Sequence, residues 1–138
     1  MEDRVYTLYL YKWTDGSYYI GRTFTSSGRF NNSEKYKQQY VYKKMLSDPS
    51  YKAVECVRSL NLFKIYYLEA QCIKECWEYT KCLNANTEEN WFKNATRDWC
   101  TLNNNDLNKF NSDFNEFLAW KSEESNDCIE YILDQINS

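Results

Sequence analysis

The chain holds no histidine among its 138 residues, which limits what its reactive side chains can do. Serine–histidine and cysteine–histidine nucleophile schemes are excluded, along with most catalytic zinc sites. Any general base must be a carboxylate, a lysine or a phenol. Two phenols stand out by placement: Tyr9 and Tyr19 lie in β-forming runs on either side of Asp15-Gly16. That spacing sets them on paired strands, with their side chains on one sheet face. A phenol whose pKa is lowered beside cations can accept a proton from water. Arg22 and Arg29 follow the second run, and a guanidinium grips phosphate-type anions bidentately. Glu69 sits between Leu68 and Ala70 in an otherwise apolar stripe. A half-buried carboxylate there needs a partner. A magnesium ion held by one carboxylate and several waters is suitable; a salt bridge to Arg29 or Lys64 is the other solution.

The elements that must position these groups follow from patterning. Residues 4–13 read as one strand and 17–23 as a second, rich in β-branched and aromatic residues and free of proline. Gly21 falls at the end of the second strand, where a chain can bend or let a ligand backbone come close. Residues 24–33 are a polar loop, and Ser33 can cap a helix carrying Tyr36, Tyr40, Met45 and Leu46. Asp48-Pro49 stops that helix by Ser47. Ala53 to Leu60 reads as a third strand. Asn61 then caps a helix to about residue 80, with Leu62, Ile65, Tyr66, Leu68, Cys72, Ile73, Cys76 and Trp77 as its apolar stripe. The order β-β-α-β-α predicts an α+β fold: a small three-stranded antiparallel sheet flanked by helices. Residues 84–105 read as an irregular linker with a short helix near 88–98. Asn103 to Asp106 start a helix over Leu107, Phe110, Phe114, Phe117, Leu118 and Trp120. Ser122 to Ser125 break it, and Cys128, Ile129, Ile132, Leu133 and Ile136 form a last helix, giving a C-terminal helical hairpin. The expected division is a core over 1–86 and an acidic, aromatic-rich helical extension over 87–138.

The charge is uneven. Residues 1–66 hold 11 Lys+Arg against 6 Asp+Glu, and residues 67–138 hold 6 against 14. A basic and an acidic half suggest separate roles. Lys35, Lys37, Lys43 and Lys44, interleaved with Tyr36, Tyr40 and Tyr42, would line a basic aromatic surface suited to phosphates and unstacked bases. The six cysteines form no Cys-x-x-Cys pair, so reduced, mostly buried thiols are expected. No apolar run is long enough for a membrane span, and Met1 to Arg4 do not resemble a signal peptide, so an intracellular location is expected.

Thr7-Leu8-Tyr9, nine intervening residues, Tyr19-Ile20-Gly21 and an arginine ten positions after Tyr19 together resemble the signature of the GIY-YIG endonuclease family. Thr7-Leu8 stands where that signature has Gly-Ile. The stretch Tyr67 to Ile73 resembles the helix that carries the family's metal-binding glutamate. The resemblance covers about residues 5–86. It implies DNA as partner, hydrolysed with Mg2+ or Mn2+. Tyr9 would be the base and Tyr19 would orient water or phosphate. Arg29 would contact the scissile phosphate, Arg22 could be a second cation on it, and Glu69 would hold the metal. Asn84 or Asn86 would support the site, and the spacing does not choose between them. The alternative is an inactive protein on the same scaffold, binding a nucleic acid or a protein without turnover. Residues 105–138 are the candidate surface for a homodimer or a protein partner. A third reading has the acidic half imitating nucleic acid.

Overall fold

The computed structural model describes residues 5–23, 40–76, 82–84 and 88–138. Three strands, β1 (Tyr6–Lys12), β2 (Tyr18–Thr23) and β3 (Lys52–Ser59), form an antiparallel sheet in the order β2-β1-β3. Four helices join it: α1 (Tyr40–Ser47), α2 (Leu62–Cys76), α3 (Trp91–Leu102) and α4 (Leu107–Asn137). The architecture is the expected α+β one. The expected start of α1 before Tyr40, and the end of α2 beyond Cys76, lie outside the described residues.

The β1–β2 hairpin closes as its sequence predicts. The Gly16 amide donates to the Trp13 carbonyl at 3.1 Å, and Trp13 N to Ser17 O at 3.0 Å. Gly16 takes φ 91°, a left-handed position that glycine reaches without a Cβ penalty. Strand alternation then divides the sheet into two faces. Tyr6, Leu8, Leu10, Tyr18 and Ile20 point to α2, where they share a core with Leu62, Phe63, Ile65, Leu68 and Ile73. Tyr9, Tyr11, Trp13 and Tyr19 point the other way and pack with Val41 of α1. Both faces are covered, which is why the hairpin reads as a continuous aromatic and apolar run rather than as alternation. Against β3 the register slips between Leu8 and Tyr9, so that Cys56 is an extra residue.

The C-terminal region departs from expectation. Residues 107–137 are one helix of 31 residues, not a hairpin of two. Ser122 to Ser125 do not break it, because the inward positions Phe110, Phe114, Phe117, Ser125, Cys128, Ile132 and Ile136 keep one helical phase straight through that stretch. Ser125 is buried, and its hydroxyl donates to Lys121 O at 2.6 Å, satisfying itself inside the helix. Asp106 is the true N-cap, accepting from Lys109 N at 3.2 Å. The short helix expected near 88–98 is α3, displaced to Trp91–Leu102. Asn104 and Asn105, both left-handed at φ 53° and 58°, turn the chain from α3 into α4.

Helices α3 and α4 share the α2-side core, in which Trp99, Phe117, Ile132 and Ile136 are buried. Phe63 of α2 meets Phe110, Phe114 and Phe117 of α4 at centroid distances of 5.4, 5.5 and 6.1 Å. Asn61 accepts from Phe63 N at 3.0 Å and donates to Asp113 O at 2.8 Å, so the cap of α2 also ties down α4. At the far end of α4, Lys12 of β1 donates to Gln135 O at 2.6 Å and Ser138 O at 2.8 Å, placing a cation on a helix C-terminus. All six cysteines are free, with Cys72 and Cys76 buried. Among the described residues, no helix is long and apolar enough to cross a membrane.

Candidate functional site

Arg22 lies on edge strand β2, paired across the ladder with Leu8, and so faces α2. There its Nη1 donates to Glu69 Oε1. One helical turn before Glu69, the Tyr66 ring lies 3.9 Å from the guanidinium carbon. The phenol of Tyr66 donates to Asp98 Oδ2 of α3 at 2.5 Å. Glu69 is only 5% exposed. Burial pushes its carboxyl up to about 7; Arg22 opposes the rise and Glu88 adds to it. Burial also works against the charge on Arg22, but Glu69 and Tyr66 outweigh it and hold the guanidinium above its ordinary range. The salt bridge expected for Glu69 therefore exists with Arg22. Lys64 pairs instead with Glu116 at 3.2 Å.

The two phenols occupy the other face. Tyr9 and Tyr19 come together as the hairpin spacing predicts, with ring centroids 6.5 Å apart. Tyr11 stacks on Tyr19 at 6.1 Å. Tyr9 stands opposite Gly21, and its ring lies across that residue: a Cβ built on Gly21 would be 2.5 Å from Tyr9 Cζ and Oη. The close approach foreseen at Gly21 is thus made by the chain's own tyrosine. Thr7 and Thr23, paired on this same face, bury hydroxyls that find no partner among the described residues. The structure therefore makes two groupings: Arg22 with Glu69 towards α2, and Tyr9 with Tyr19 towards α1.

Asn84 is bound to the motif strand itself. Its Nδ2 donates to Ile20 O at 2.7 Å, and Ile20 N donates to its Oδ1 at 3.1 Å. Leu83 N donates to Tyr18 O at 2.9 Å, and Cys82 bridges to Tyr18 in parallel. Residues 82–84 thus cover the outer edge of β2 and fix Tyr19 between two anchored neighbours. Arg29, Lys35, Lys37 and Asn86 lie outside the described residues, as does the side chain of Tyr40, the first residue of α1. Lys43 is exposed. Lys44 is engaged at the hairpin turn, 2.6 Å from Asp15 and 3.9 Å from Asp48. That bond to Lys44, with those to Ser17, holds Asp15 well below the usual carboxylate range.

Tyr66 and Asp98 are the members that sequence reasoning passed over. Tyr66 could have been found by its helical i−3 spacing from Glu69. Asp98 carries no such signal.

Glu69 offers a hard cation one carboxylate oxygen, leaving water and phosphate to complete the shell. Its carboxyl stays high even beside Arg22, because burial outweighs the attraction of that cation. Among the described residues, no group of three or more acidic or thiol side chains could hold a metal. Comparison with family models, with curated proteins and with solved structures finds no match.

Proposed function

We propose that this chain is a metal-dependent nuclease of GIY-YIG type that hydrolyses phosphodiester bonds in DNA. The observation that carries the reading is Glu69: a buried carboxylate with a raised pKa, set on α2 against the strand bearing Tyr18-Tyr19-Ile20-Gly21. The order of elements and the grip of Asn84 on Ile20 support it. Glu69 would hold a magnesium or manganese ion, with Asn84 fixing the motif strand beside it. The bound ion would supply Lewis-acid stabilisation of charge on the phosphate. Arg22 and Arg29 would bind the phosphate oxygens at that ion; Tyr9 and Tyr19 face the other side of the sheet, so the roles of base and water-positioner that the resemblance implies for them are not served at Glu69. The test is cleavage of plasmid, branched and single-stranded DNA with Mg2+ or Mn2+, alongside Mn2+ binding read by electron paramagnetic resonance. Glu69→Ala should abolish both activity and ion binding. If the wild-type chain leaves all three substrates uncut with either ion, the reading is refuted.

A specific observation favours a second reading. Arg22 already satisfies Glu69, while Tyr9 is 1% exposed on the opposite sheet face. On this reading the scaffold binds nucleic acid or protein without turnover. DNA binding that is indifferent to metal, with no cleavage, would select it. Multiple-turnover hydrolysis would eliminate it.

A further inference from the structure

We propose that Tyr66 and Asp98 are positioning residues for Arg22, holding its guanidinium in the plane that presents its outer N–H groups to a phosphate of bound nucleic acid. The inference rests on the nucleic-acid reading above and adds two residues to it, one of them from helix α3.

Arg22 is held by Tyr66 and Glu69, and the carboxylate of Glu88 adds its attraction. Its guanidinium carbon lies 3.9 Å from the Tyr66 ring centroid, and Glu69 takes Nη1. A guanidinium has five donors in a rigid fork. The Arg22 side chain is one-quarter exposed, on the edge strand of the sheet. A long side chain otherwise forfeits rotamer freedom when it binds a phosphate; here the ring and the carboxylate have already restricted it.

The ring is in turn fixed. Tyr66 is buried, and its hydroxyl donates to Asp98 Oδ2 at 2.5 Å. Burial raises its pKa, Arg22 opposes that rise and the Asp98 bond adds to it, so the phenol stays protonated and remains a donor. Donation to a carboxylate enriches the ring in electron density and strengthens its attraction for the cation above it. Asp98 itself is steadied by Arg97 Nε on its other oxygen at 3.2 Å. The next residue, Trp99, is buried and donates to Asp113 Oδ2 at 2.9 Å, anchoring this turn of α3 to α4. The sequence Asp98–Tyr66–Arg22–Glu69 therefore runs from the C-terminal helices to the edge strand.

Two conservative variants test this. Tyr66→Phe keeps the ring and loses the hydroxyl, and Asp98→Asn keeps the shape and loses the charge. The Arg22 guanidinium is followed by 15N–1H NMR. Affinity for a short fluorescein-labelled single-stranded DNA is followed by anisotropy in EDTA at low salt. In the wild-type chain, the Arg22 resonances should be resolved and shifted by the ring current. Both variants should average those signals and weaken DNA binding by about three- to tenfold, the range of a partly desolvated cation–π contact. Thermal midpoints should stay close to wild type, and Tyr66→Leu, which removes the ring, should give the larger effect. An Arg22 spectrum unchanged in both conservative variants overturns the positioning role, as does a changed spectrum with unaltered DNA affinity. A wild-type chain that binds no DNA overturns the nucleic-acid reading and the phosphate role with it, a result distinct from an unchanged spectrum in a chain that does bind.

Discussion

Gly21→Ala tests whether the glycine of the Tyr-Ile-Gly motif serves the fold or a ligand. The added methyl would sit 2.5 Å from Tyr9 Cζ and Oη and 2.9 Å from Tyr19 Cε1. Carbon atoms prefer about 3.5–4.0 Å, so a gap of roughly 1 Å must open. The Tyr9 ring has little freedom to give, being buried with Tyr11 5.2 Å away on one side and Tyr19 on another. Overpacking of this kind costs about 1–3 kcal/mol. For a chain of this length that is a fall in midpoint of roughly 3–10 °C. Urea denaturation should show a lower midpoint concentration at an unchanged slope. The decisive measurement is a double-mutant cycle with Tyr9→Leu, whose shorter side chain does not reach Gly21. In that background the same alanine should cost clearly less, because only the 2.9 Å contact with Tyr19 Cε1 is left. The interaction energy should therefore be a large share of the cost in the wild-type background. Equal costs in both backgrounds would refute the reasoning, because the tyrosine could not then be what excludes the methyl.

Stability should fall as pH rises from about 4.5 to about 7. The folded carboxyl of Glu69 holds its proton to about 7, while the unfolded one releases it near 4.5; at 1.36 kcal/mol per pH unit the gap amounts to about 3 kcal/mol. Urea titrations across that window should show the slope, and Glu69→Gln should flatten it. Arg22→Ala leaves Glu69 buried without its cation, and should cost about 3–5 kcal/mol at pH 8. The loss should be smaller at pH 5.5, where Glu69 takes up a proton, and a pH-independent loss would count against the pairing. Asn84→Ala leaves Ile20 N–H and C=O unpaired, and should cost about 1–3 kcal/mol per stranded group, with faster hydrogen exchange at the Ile20 amide. Ser125→Ala should be neutral or slightly stabilising by thermal melt, as at a helix interior. A loss of about 1 kcal/mol would instead mark Ser125 as a cap and restore the helical hairpin.

What could be read in the chain beforehand was local. The hairpin announced itself through Asp15-Gly16 between aromatic runs, and α2 through its apolar stripe. Where local signals conflicted, composition misled. Ser122-Glu123-Glu124-Ser125 looks like a cap, yet the phase of Phe117, Ile132 and Ile136 passes through it unbroken, and burial of that stripe outweighs the modest helix preference of serine. Gly21 signalled a close approach without saying by what, because the approaching ring belongs to another strand. Glu69 signalled the need for a partner, but its partner stands 47 residues away, a separation no periodicity encodes. Asp98 was invisible for the same reason: its meaning comes only from the docking of α3 on α2.

Lys12 has a consequence for the order of assembly. Its carbonyl partners are 123 and 126 positions away. Closing a loop of that length costs several kcal/mol of chain entropy before the contact returns anything. The ammonium at the tip of the first strand therefore stays hydrated through collapse of the sheet, until the final turn of α4 is made. That bond is a late latch: a chain cut before Gln135 can still build the hairpin and α2 and pack Phe117 and Ile132 into the core, but lacks this polar tie between α4 and β1.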